Sequence, residues 1–169
     1  MVSSRSIPNR QTIEQLAQQF PEVDIASVET CLAFLDTTAE VYTALETHFA
    51  RHGLSVGKFT LLMQLFVAGE QGLTPSGFAE RAGVTRATIT GLLDGLEREK
   101  LVQRQPYPGD RRMLTIHLTD KGRELISNLL PEHFCRTTSM MSQLTTAEKK
   151  TLIELLGKLR SGSAAMREP

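Results

Sequence analysis

Apolar residues recur along this chain at two different periods, and the switch between them predicts the architecture. From Asp24 to Gly53 the positions Val28, Leu32, Leu35, Ala39, Tyr42, Leu45 and Phe49 repeat at three and four, which predicts one long helix capped by Asp24 and stopped at Gly53. Ser55 to Ala68 predicts a second helix. Thr74-Pro75 is an N-cap with proline in the first helical position, opening a short helix with Phe78, Ala79 and Ala82 on its apolar face. Gly83-Val84-Thr85 then predicts a turn, with Thr85 capping a helix to Lys100 whose stripe is Ile89, Leu92, Leu93 and Leu96. Immediately afterwards the period drops to two: Leu114, Ile116 and Leu118 alternate with Met113, Thr115 and His117. Leu101 to Gln105 is the partner strand, and Pro106, Pro108, Gly109 and Asp110 supply the turn between them.

Helical period returns in the last third. Thr119 opens a helix bearing Leu125, Ile126, Leu129 and Phe134, with a kink expected at Pro131. The capping box from Thr145 to Glu148 opens a final helix with Leu152, Ile153, Leu155, Leu156 and Leu159. Gln11 to Phe20 predicts a short helix stopped by Pro21, and Ser161 to Ala165 a frayed tail.

Two short helices joined by a glycine-containing turn and followed by a hairpin make a winged helix-turn-helix, so the expected class is mostly α with a small β-hairpin wing. The second of those helices turns Ala87, Thr88, Gly91, Asp94 and Arg98 outward, small and polar residues that suit a backbone lying in a DNA groove. Arg111 and Arg112 sit at the hairpin tip, where arginine suits phosphate and the minor groove. The helices flanking this unit keep apolar faces that it does not need, and a second copy of the chain is the expected partner. The expected organisation is an N-terminal extension over 1–23, a dimerisation helix over 24–53, a DNA-binding lobe over 54–118, C-terminal dimerisation helices over 119–160 and a flexible tail over 161–169.

From about Thr30 to Leu159 the chain resembles the MarR-type winged-helix transcriptional regulators. The specific stretches are LTPSGFAERAGVTRATITGLLDGLEREKLVQR and the wing GDRRMLTIHLTDKG. The resemblance implies a wing triplet, here Asp110, Arg111 and Arg112, in which Arg112 enters the minor groove and Asp110 braces it. It implies double-stranded DNA as the partner, a homodimer on a pseudo-palindromic operator, and release by a small-molecule effector, by oxidation of a cysteine or occasionally by a metal, of which the small molecule is expected here. Gly91 and Gly95 depart from the larger polar residues usual in the recognition helix. Expected DNA contacts are Thr74, Ser76, Thr85, Arg86, Thr88, Thr90, Arg104, Asp110, Arg111 and Arg112, and expected effector contacts are Arg51 and Lys58.

The formal net charge is zero, which would suit a DNA binder poorly if it were evenly spread. It is not: residues 81–123 hold nine Lys or Arg against five Asp or Glu, and the remainder holds ten against fourteen. The two cysteines, Cys31 and Cys135, are too few for a disulfide framework, and with no signal peptide or apolar run near 18 residues a cytoplasmic protein without membrane contact is expected. Cys31 lies on an apolar stripe and reads first as a core cysteine. A redox switch with Cys31 as sensor and Cys135 as resolving thiol is the alternative, opposed by the lack of a nearby cation and by Glu29 and Asp36. His48 and His52 have the i, i+4 spacing of metal ligands but read as a solvated helix end, and no metal or other cofactor is expected. Met63, Met113, Met140, Met141, Tyr42, Phe59 and Phe66 read as core, with the lining of an effector pocket as the alternative. No catalytic motif is present, so an enzyme is not expected; a winged-helix module binding acidic protein is the rival from another class.

Overall fold

The computed structural model describes residues 10–20, 22–82, 85–107 and 110–166. The chain divides into two compact units, Met1–Thr119 and Asp120–Pro169. The long helix predicted for dimerisation therefore groups with the winged helix-turn-helix, and it packs on the helix that follows it.

In the first unit α1 (Arg10–Gln19) packs on α2 (Ile25–Ala50), burying Ile13. Asp24 caps α2 by accepting from Ala26 N at 3.1 Å. Hydrogen bonds from Ser27 lower the Asp24 carboxyl below its ordinary value. Three residues past the helix, Gly53 takes φ +70, the left-handed conformation that glycine adopts without steric cost. Glu46 of α2 accepts from Val56 N at 3.2 Å and so satisfies one open amide at the start of α3 (Val56–Ala68). Phe49 of α2 and Phe59 of α3 stack with centroids 4.1 Å apart.

The centre of this unit lies among α3, α4 (Pro75–Ala82), α5 (Arg86–Arg98) and the antiparallel hairpin of β1 (Val102–Tyr107) and β2 (Asp110–Leu118). Leu61, Leu62, Leu65, Phe78, Ile89, Leu93, Leu96 and Ile116 are each at most 1% exposed, so every one of these elements except β1 contributes a fully buried side chain. The hairpin keeps one register from Val102↔Leu118 to Pro106↔Leu114 and shifts between Pro106 and Tyr107. Both strands are longer than their periodicity predicts. The predicted turn residues Pro108 and Gly109, like Gly83 and Val84 between α4 and α5 and Pro21 after α1, lie outside the described residues.

Two features at the root of the wing carry no periodic signal. Leu73 exchanges both backbone hydrogen bonds with Ile116, at 3.1 and 2.8 Å, adding a one-residue third strand. Lys100, at φ +60, closes α5 in the place glycine usually takes: Leu101 N donates to Leu96 O and Lys100 N to Glu97 O, both at 2.9 Å. Thr119 Oγ1 donates to Lys100 O at 2.7 Å and holds that turn against the end of β2.

The second unit contains α6 (Asp120–Met140), with Pro131 inside it, and α7 (Thr146–Gly162). The Thr145 capping box is formed, its hydroxyl accepting from Glu148 N at 3.3 Å while Glu148 accepts from Thr145 N at 2.7 Å. The bond from Thr145 N, and after it the one that the Thr145 hydroxyl donates to Glu148 Oε2 at 2.8 Å, lower the Glu148 carboxyl below its ordinary value. Within the segment expected as a tail, α7 continues to Gly162 and a 3-10 turn covers Ser163–Met166.

Several residues expected in the core are not there. Tyr42, Met113 and Met140 are 41–42% exposed, whereas Phe59 is buried and Met63, Phe66 and Met141 are half-buried. Cys31 is half-exposed and Cys135 exposed, so neither is a core cysteine. His48, expected at a solvated end, is 7% exposed, with its ring 5.0 Å from Phe49 and 5.6 Å from His52. Periodicity marks an apolar face but not its covering, which explains each of these differences.

Candidate nucleic-acid interface

The helix-turn-helix presents the starts of two helices, both capped by threonine. At α4, Thr74 Oγ1 accepts from Gly77 N at 3.1 Å, and the Ser76 hydroxyl lies 3.2 Å from that of Thr74. At α5, Thr85 Oγ1 accepts from Thr88 N at 3.2 Å and lies 2.9 Å from Thr88 Oγ1. Thr90 Oγ1 donates to Arg86 O at 2.9 Å. Local bonds thus fix the orientation of these hydroxyls, and Thr90, its proton committed to its own helix, is left as an acceptor. Arg86 is exposed in the first turn of α5.

These residues converge. Thr74, Ser76, Arg86 and Thr90 line one shallow cavity of about 280 Å³ together with Pro75 and, from the wing, Met113 and Leu114. The two helix starts and the outer half of β2 therefore share one face, which can meet a phosphate backbone and a groove together. Asp110, Arg111 and Arg112 belong to β2 by backbone, but their side chains lie outside the described residues.

Arg104 is placed differently. Its Nη2 donates to Asp94 Oδ1 at 2.5 Å and its Nη1 to Glu97 Oε2 at 2.6 Å, both on α5. The hydrogen bond to Asp94 is the main cause that raises its pKa. Lys58, expected to meet an effector, pairs with Glu99 at the end of α5, while Arg51 is exposed at the end of α2. Sequence reasoning missed the carboxylate partners; the available signal was the acidic pair Asp94 and Glu97, one turn apart, followed by an arginine on the next strand.

Compared with known proteins, the MarR family model matches residues 54–114, from just before α3 into β2. The HTH-type transcriptional repressor YetL of Bacillus subtilis is 37% identical over 155 residues, covering 92% of this chain and 93% of that protein. This chain belongs to the MarR family. The HTH-type transcriptional regulator PecS of Dickeya dadantii is 28% identical, over 87% of this chain and 89% of its own. The crystal structure of the S. aureus MepR–DNA complex superposes with a TM-score of 0.70 at 25% identity, covering 77% of this chain and 94% of that one. As a MarR-family protein the chain is a sequence-specific DNA-binding transcriptional regulator and not an enzyme. Among the described residues no helix is long and apolar enough to cross a membrane.

Proposed function

We propose that this MarR-family protein is a repressor that binds a pseudo-palindromic operator as a homodimer and leaves it when a small molecule binds. The observation that carries the DNA-docking part is the shared face of Thr74, Ser76, Arg86 and Thr90 with the outer half of β2. On it the start of α5 reads base edges in the major groove, Thr74 and Ser76 meet the backbone, and Arg112 reaches the minor groove with Asp110 bracing it. Arg111 meets phosphate. The sign of control is carried over from the Bacillus subtilis relative.

The homodimer is supported by α7, in which Leu152, Ile153, Leu155, Leu156 and Leu159 are 37–70% exposed. Such a stripe left in water favours association, and a twofold pair places two copies of α5 one turn of DNA apart, ~34–36 Å. An effector that binds the DNA-incompetent spacing better than the competent one releases the operator. An anionic effector meets Arg51 freely but competes with Glu99 for Lys58.

Selection of bound sites from random DNA, with the mass of the free protein measured by sedimentation, tests the reading. The expected result is a site with twofold symmetry and a dimeric mass at micromolar concentration; an asymmetric site or a monomer rejects the dimer. Release by a screened small molecule that persists in Cys31→Ser supports a ligand switch. Peroxide-driven release that disappears in that variant replaces it with the thiol.

A further inference from the structure

Arg104 lies at the middle of β1, opposite Ile116, which is fully buried and bonded in turn to Leu73. Its backbone therefore belongs to the most restrained part of the wing root. Its guanidinium reaches back to α5 and is held at both ends by carboxylates three residues apart on that helix, Nη2 by Asp94 and Nη1 by Glu97. A planar fork held at two points fixes direction as well as distance, which a single contact does not. We infer that Arg104 is a positioning residue for operator docking, a clamp that sets the angle between wing and recognition helix, and not a DNA contact.

The lever arm explains why this angle matters. From Arg104 to the end of β1 at Tyr107 the strand extends about 10 Å, so a rotation of about ten degrees at the root moves the tip by about 2 Å, enough to lose a groove hydrogen bond. Charge gives the clamp a second effect. Asp94 lies on the outward side of α5 and is half-exposed, so an unpaired carboxylate there would face phosphate; Arg104 cancels one of the two negative charges. The three groups are 30–47% exposed, and pairs so placed add little to overall stability. The consequence falls on docking geometry, not on folding.

The inference rests on the DNA-docking reading, and the two fail separately: selection of an operator by the native chain tests the docking, while variants on that operator test the clamp. The deciding protein is Asp94→Asn with Glu97→Gln, nearly isosteric and two charges more positive. Its affinity for the selected operator and for random DNA is measured across a salt series. A clamp predicts that random-DNA binding tightens while operator binding weakens about tenfold, so the ratio of the two collapses. An Arg104 that contacts DNA predicts the opposite sign for the operator, since freeing it should tighten both; that result overturns the clamp. Arg104→Gln should lower the same ratio with an unchanged operator salt slope, whereas a slope reduced by about 1 marks a phosphate contact. An unchanged ratio in Arg104→Gln, in a variant whose melting temperature matches the native one, also removes the clamp.

Discussion

The recognition helix α5 and the last helix α7 begin alike and end in opposite environments. Each follows a capping threonine, Thr85 or Thr145, and each carries a leucine-rich stripe over 13 or 17 residues. In α5 the stripe is consumed within the chain: Ile89, Leu93 and Leu96 are at most 1% exposed. In α7 no residue is buried, and the stripe includes Ile153 at 70%. The same amphipathic pattern therefore has two outcomes, one closing the core around the recognition helix and the other leaving apolar side chains exposed.

The comparison is broken most forcefully at its buried end. Leu96→Ala should cost about 2–5 kcal/mol through lost burial and a cavity, whereas Leu156→Ala, already 38% exposed, should act through association. Denaturation at several protein concentrations separates them: the Leu96 effect should be the same throughout, and the Leu156 effect should vary with concentration. Equal, concentration-independent losses would dissolve the contrast.

A comparable effect is expected at the wing root. A Cβ on Gly72 would meet Ile116 O and the His117 ring at 2.6 Å, and the residue sits at φ +62. Because the nearest backbone carbonyl cannot swing aside, Gly72→Ala should cost about 1–3 kcal/mol and loosen the Leu73–Ile116 pairing, seen as faster amide exchange at both residues. Unchanged exchange there would mean that the third strand matters little.

At the DNA face, Arg86→Ala should weaken operator binding by about 1–3 kcal/mol and relax base preference at one position of each half-site. Uniform weakening on all sequences would place Arg86 on phosphate. The smallest effect belongs to the α7 cap. Glu148, lowered by the Thr145 backbone first and its hydroxyl second, contributes fully above its unfolded-state value, and that contribution fades as pH falls through the lowered one. Fraying of the first turn of α7, followed by amide exchange at Glu148, should therefore begin only in acid below the usual glutamate range.

Much of the lobe was legible because its signals are local. Asp24, Thr85 and Thr145 all cap the helices their positions announce, and strand alternation located the wing. Legibility failed where a partner comes from another element. Arg104 carries the same charge and exposed-strand context as a DNA contact, and only folding brings it to Asp94 and Glu97. Thr115, among the polar positions of the alternation, is buried, its hydroxyl donating to Gln105 O at 3.3 Å and lying 3.0 Å from His117 Nε2. The left-handed Lys100 was invisible because nothing in a lysine announces that conformation.

By itself the sequence determined the order and type of the elements and the winged helix-turn-helix, since periodicity, caps and turn residues act over a few positions. Tertiary structure alone decided which apolar faces are covered, which cations are already paired, and that Gly72 must stay small beneath His117. Those outcomes depend on groups far apart in the chain arriving within a few ångströms of one another, and no short-range pattern encodes that distance.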